Sequence, residues 1–194
     1  MVMQKVISIF EKARRFKSAK GGLAAVEFGL LAPIMVFMFF ATIEGSEALS
    51  ASRRVALSVN TVADLVAQET TIEAAQLNDL FVGMENIISQ DPIQVDFNVV
   101  SLILDPVTND IIVHWSRDNN GGEPYPAGQV YTGPAQVTLF DANSSIVVGE
   151  VVYDYTPTLT AKLIQNFTFE RFSTRWPRRS FRVQFCETPT NCTT

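Results

Sequence analysis

The sequence predicts an α+β protein: a long N-terminal membrane-spanning helix continuing into a helix packed on an antiparallel β-sheet. Three observations carry this. Leu23 to Ile43 is a run of 21 residues with a single charge, Glu27. Apolar residues then recur at helical spacing as far as Ile88. After Pro92 the period of the apolar pattern switches from helical to two, the signature of strands with one buried face.

The segments follow in order. Residues 1–22 form a basic leader with six cationic side chains (Lys5, Lys12, Arg14, Arg15, Lys17, Lys20) and one acid, Glu11. That is a net +5 in a chain of −5, so residues 23–194 carry −10. A basic head before an acidic body reads as a topology signal. A nucleic-acid partner is not expected, because such a binder carries its cations on the folded domain. The apolar fraction is 47% and the excess sits near the start. The roughly 150 residues that remain suffice for one domain with its own core.

Residues 23–43 read as the transmembrane helix. At ~1.5 Å per residue they span ~31 Å, about one hydrocarbon core. The basic leader should stay in the cytoplasm and send the body outward. Pro33 lies inside this helix, which membrane helices tolerate. Two other readings fit much of the segment. One is a secretory signal peptide with a small-x-small site at Ala48-Leu49-Ser50. The other is a plain uncleaved signal anchor. Neither explains Gly21-Gly22 or Glu27, and a charge within a membrane helix costs roughly 2.5–3.5 kcal/mol even on lenient scales.

Residues 44–90 read as helical. Val55, Val59, Val62 and Val66 form one stripe, and Thr70-Thr71-Ile72-Glu73 reads as a capping box that restarts the helix. Leu77, Leu80, Phe81, Met84, Ile87 and Ile88 continue on one face until Asp91-Pro92. Residues 91–194 form the predicted sheet domain. Ile93, Val95, Phe97, Val99, Ser101 and Ile103 face a core, and a turn over 105–110 leads to a return strand with Ile111, Val113 and Trp115. Asn119-Asn120-Gly121-Gly122, with Pro124 and Pro126, reads as an exposed loop. Further strands are expected over 137–140, 146–155 and 181–185, with a short helix from Leu159 to Phe167. Cys186 and Cys192 read as a small-loop disulfide if this end lies outside the cytoplasm, or else as two free thiols.

Basic residues, then glycine, then an apolar helix with Glu at its fifth position is the layout of type IV prepilins and their relatives. Here it reads Lys20-Gly21-Gly22, then Leu23-Ala24-Ala25-Val26-Glu27-Phe28. The segment RRFKSAKGGLAAVEFGLLAPIM resembles the TadE/TadF group of the Flp, or tight-adherence, pilus system. Tyr153-Asp154-Tyr155-Thr156-Pro157 and Trp176-Pro177-Arg178-Arg179 are similar to strand-end and Arg-Pro-Arg stretches of that group. The resemblance implies a pilin-like minor pseudopilin, cut by a prepilin peptidase between Gly22 and Leu23. Glu27 and Phe28 would then serve recognition and subunit contact. It further implies partners among other pseudopilins, Flp pilus subunits, an inner-membrane platform and membrane lipid. The implied location is the bacterial inner membrane, single-pass, with a periplasmic C-terminal domain or display in a surface pilus. An uncleaved single-span binding or scaffold module is the alternative.

The chain is not expected to be an enzyme, and no cofactor or metal is expected. The lone His114 makes neither a triad nor a metal site and should face solvent. Asp141-Ala142-Asn143-Ser144-Ser145 reads as a turn, and the sequons at Asn143, Asn166 and Asn191 carry no glycan in a bacterial chain. Five of the nine cations after residue 22 cluster as Arg171, Arg175, Arg178, Arg179 and Arg182. Within them Arg175, Arg178 and Arg179 are a candidate docking patch for an acidic partner or lipid headgroups, or else a solvated or internally paired face.

Overall fold

The computed structural model describes residues 22–88, 95–135, 137–140, 144–157 and 166–193. Helix α1 runs over Leu23–Gln68 with Pro33 inside it. Several short polar side chains return a hydrogen bond to the carbonyl four residues back. Thr42 Oγ1 donates to Met38 O at 2.7 Å and Ser50 Oγ to Ser46 O at 2.8 Å. Such back-bonding lets polar residues sit in a helix without competing for its ladder. The chain divides into two units, Met1–Gly45 and Ser46–Thr194.

In the second unit the valine stripe is the core. Val55, Val59, Val62 and Val66 are all buried, as spacing of three and four residues on one helix face requires. Helix α1 closes with Glu69 N–H donating to Val66 O at 3.2 Å. The chain then forms a three-residue strand, β1 (Thr71–Glu73), before helix α2 (Ala74–Ile88). The break falls where the sequence placed it, but the helix restarts three residues later than a cap at Thr70 would give, and its cap is different. Gln76 Oε1 accepts from Glu73 N–H at 3.1 Å, so the box belongs to Glu73 and Gln76. Thr70 and Thr71 are instead drawn into a sheet: Gln184 N–H donates to Thr70 O, and Thr71 pairs with Gln184. The predicted end at Asp91-Pro92 lies outside the described residues.

Strands β2 (Val95–Leu104), β3 (Ile111–Asp118), β4 (Ser145–Tyr155) and β5 (Phe167–Arg175) form an antiparallel sheet in the order β3-β2-β4-β5. The hairpin β2–β3 matches the expected one, with a bulge between Ser101 and Leu102. A second sheet holds β1, β6 (Gln184–Thr188) and β7 (Asn191–Cys192), with β1 parallel to β6. Trp115 joins the two sheets: its indole N–H donates to Val183 O at 2.8 Å, and its ring lies 5.4 Å from that of Phe185.

One face of the large sheet packs under both helices. Gly149 on β4 is what lets α1 approach. A Cβ there would lie 3.3 Å from the Ala63 Cβ, the Val59 Cγ2 and the Val59 carbonyl. The other face is covered too, which the alternating pattern did not foresee. Val100, Leu102, Ile111, Val113, Ile146 and Val148 form a second cluster, with Tyr131 buried on it and Tyr125, Leu139 and Phe140 packed against it. Residues 137–140, expected as a strand, contain a 3-10 turn at Val137–Leu139 instead. Leu139 and Phe140 pack on the sheet as a cover rather than joining it.

Strand β5 was not foreseen. The expected helix Leu159–Phe167 lies mostly outside the described residues, and Phe167 opens the strand. The predicted strand over 181–185 begins only at Gln184. Its partner β1 is three residues long and pairs from Thr71↔Gln184 onward, so Phe181 has no ladder to join and is exposed. The loop at 119–122 does turn sharply, through Gly121 at φ 81°. Asn119, however, points inward. Its Nδ2 donates to Glu85 Oε1 at 2.5 Å and to Val95 O at 3.0 Å, and its Oδ1 accepts from Phe97 N–H at 3.2 Å.

The covering loop is latched by Glu150, which accepts from Tyr125 Oη at 2.9 Å and from Tyr131 Oη. Burial, then the Glu150 charge and hydrogen bond, push the Tyr125 phenol up to about 12. Tyr131 is raised further, by burial first and Glu150 second. A raised phenol pKa means that the neutral form is favoured on folding. The latch therefore contributes fully below pH 10 and is lost as pH climbs from 10 towards 12. Absorbance at 295 nm should show these two phenolates forming late, together with loss of structure. Glu150→Gln should lower the Tyr125 pKa yet leave it above 10, because burial is the larger cause.

Candidate functional site

The site begins at the N-terminal end of α1. Gly22 stands just before the helix, exposed, with nothing within 4 Å of where a Cβ would be. The backbone of Leu23 opens the helix. Glu27 and Phe28 follow on its first turns, both exposed. Beyond them the apolar side chains stay uncovered: Leu30 is 73% exposed and Phe37 63%. In water such a continuous apolar surface marks a membrane or protein contact. The helix is long and apolar enough to cross a membrane.

The remaining sequence candidates lie in the second unit. Cys186 and Cys192 are joined as a disulfide, directly opposite one another across β6 and β7. Their bond closes a small loop at the end of the chain and holds β7 on the sheet edge.

Two of the three docking-patch arginines turn towards α1. Arg175 Nη2 donates to Asn60 Oδ1 at 2.9 Å, and its Nε lies 3.8 Å from Asp64. Arg178 pairs with the same Asp64 carboxylate, and its backbone N–H donates to Ala67 O at 2.9 Å. Internal pairing therefore accounts for Arg175 and for much of Arg178. Arg171 is also tied to the helix, through Ser52 Oγ at 3.1 Å. Arg179 is exposed.

Beside it the structure shows something that the sequence reading passed over. Trp176 and Phe181, 50% and 78% exposed, flank a groove of about 510 Å³ that also includes Arg178 and Arg179. Two aromatics bracketing an arginine pair was a signal available in the sequence. Alternation with Arg182 and Gln184 makes Phe181 look like a strand residue, which hides that signal.

His114 is half-buried rather than solvent-facing, with Nδ1 3.3 Å from Ser101 Oγ. Ser101 lies opposite Trp115 and Leu102 opposite Val113, so the extra residue of the bulge is His114 itself, on β3. Among the described residues there is no group of three or more His, Cys, Asp or Glu side chains that could hold a metal ion.

These features define a class: an α+β domain carried on one exposed apolar helix that can span a bilayer. Residues 22–70, about a quarter of the chain, match the model of the TadE-like protein family. No curated protein and no solved structure matches the chain.

Proposed function

We propose that the chain is a minor pseudopilin, cut between Gly22 and Leu23 by a prepilin peptidase, that acts in assembly of a Tad/Flp pilus or an associated secretion machine. One observation carries the reading. A glycine without neighbours sits at the foot of an uncovered apolar helix whose fifth residue is a carboxylate. A glycine before the scissile bond lets a protease approach the backbone closely, since no Cβ obstructs it. Scission would give Leu23 a new ammonium group. In an assembly, such a group from a neighbouring subunit can neutralise Glu27, which otherwise carries its charge alone into an apolar layer.

The body would then lie on the periplasmic side of the inner membrane, held in lipid by residues 23–43. The disulfide supports that side, because such bonds persist in oxidising compartments. The partners would be the peptidase, other pseudopilins or Flp subunits, the inner-membrane platform and lipid. The chain would be a substrate and assembly part rather than an enzyme.

Intact mass and N-terminal sequencing of the membrane-extracted protein test this, in cells with and without the peptidase. A chain starting at Leu23 only when the peptidase is present supports the proposal. A chain starting at Met1 in both leaves an uncleaved single-span binding or scaffold module. A start near Ala51 means that the apolar run was a secretory signal.

A further inference from the structure

The groove beside Arg179 is independent of processing at Gly22, because it is built wholly from the outer domain. Its walls are fixed before anything binds. Trp176 donates its indole N–H to Leu139 O at 2.7 Å, which sets the ring's orientation. Arg178 N–H donates to Ala67 O, and Phe181 O accepts from Ser145 N–H at 2.8 Å, so the segment between the aromatics is held at both ends. Ser180 Oγ adds a bond to Arg182 O at 2.8 Å. A surface ordered in advance loses little entropy on binding.

The side chains left uncovered are of the types that dominate interfaces. Tryptophan and arginine are enriched among residues whose truncation costs the most binding energy. Here they accompany a phenylalanine that keeps 78% of its surface in water, although the domain has a core to bury it in. The charge pattern names the partner's sign. Residues 23–194 carry −10 overall, yet this segment sets Arg175 and Arg178 on one carboxylate, Asp64, with Arg179 next in sequence. Asp64 faces Arg175 and Arg178, and among the described residues no carboxylate pairs with the exposed Arg179, which lines the groove.

We infer that the groove between Trp176 and Phe181 docks an acidic segment of a partner protein. A carboxylate of that segment meets Arg179, and an aromatic or large aliphatic side chain enters between the two rings. The apolar walls argue against an anion alone as occupant, and the guanidinium argues against a purely apolar one. Arg–carboxylate bonds are directional and can be bidentate, so the pairing sets orientation as well as strength.

The test uses the full chain in detergent micelles and a fluorescein-labelled Asp-Glu-Phe-Asp-Glu peptide, read by anisotropy. The peptide should bind, and Arg179→Glu and Phe181→Ser should each weaken it about tenfold or more, the loss expected of a central contact residue. Replacing its Phe by Ala should weaken it by a similar factor. Arg53→Glu, at an exposed cation outside the groove, should change nothing. All three altered side chains are exposed, and circular dichroism checks the fold of each variant. Absence of peptide binding to the unaltered chain overturns the inference. So does unchanged affinity in Arg179→Glu or Phe181→Ser, or an equal loss in Arg53→Glu. Displacement of the peptide by short-chain phosphatidylglycerol at lower concentration than by unlabelled peptide also overturns it, and assigns the groove to a lipid headgroup.

Discussion

Chains carrying Gly22→Ile are expected to keep residues 1–22 in cells where the unaltered chain loses them, with the processed fraction formed roughly a hundredfold more slowly. That is the scale on which a misplaced reacting bond slows an enzyme. Gly22 stands one residue outside α1, where its environment leaves a side chain free room. The substitution should therefore not disturb the fold. Its effect would be on the approach of another protein to the backbone, and a β-branched side chain at that point adds bulk on both sides of Cβ. Gly22→Ala should show a smaller defect in the same direction.

Glu27→Gln separates the two roles. It retains shape and removes charge, so the mass of the mature chain should be unchanged while its incorporation beside other subunits falls. Pulse labelling and intact mass measure the first effect, and co-purification of the partner subunits measures the second. Normal maturation of Gly22→Ile would place scission elsewhere. Loss of maturation in Glu27→Gln would make Glu27 a determinant of cleavage rather than of assembly.

The anchor could be read from sequence because its signals are local. Hydropathy, the basic residues before it and Glu27 all fall within one short stretch. The valine stripe of α1, the apolar face of α2 and the β2–β3 hairpin were legible for the same reason: each is a periodicity within one element. What could not be read depends on residues far apart in the chain. Strand β1 is three residues long and exists because Gln184, Phe185 and Cys186 lie beside it. Strand β5 has Phe167, Phe169 and Phe172 at spacings that break a period of two. Its inward side chains are held by the helix instead, through Arg171 to Ser52 and Ser173 to Asn60. The second covered face of the sheet arises because Tyr125, Tyr131, Ala135, Leu139 and Phe140 pack on it, which nothing in the pattern of β2 announces. The pairing of the docking-patch arginines was out of reach for a related reason. Arginine spacing locates a cluster but not its counter-ion, and Asp64 on α1 answers two of the three.

Trp115→Ala is expected to destabilise the outer domain by about 3–5 kcal/mol, the range for truncating a large buried aromatic. Trp115→Phe should cost about 1–3 kcal/mol, the penalty for leaving one buried carbonyl unpaired. The first figure is a large share of the roughly 5–15 kcal/mol that holds a domain together. Trp115 is 3% exposed and Val183, whose carbonyl it caps, is fully buried. The phenyl ring would keep most of the apolar contact with Phe185 while losing the indole donor, so the difference between the variants isolates packing from hydrogen bonding. Urea unfolding followed by circular dichroism, on the full chain in micelles, gives both values. A Trp115→Phe chain as stable as the unaltered one would mean that water reaches the Val183 carbonyl. If Trp115→Ala is also mild, the small sheet must be held by other links. Those links would be the Gln184–Thr70 hydrogen bond and the Arg117–Glu187 pair, with the Arg117 guanidinium 4.7 Å above the Phe185 ring. They lie nearer solvent, and exposed ion pairs contribute little. The indole therefore ties the small sheet to the large one together with the buried side chains of Ile72, Val183 and Phe185.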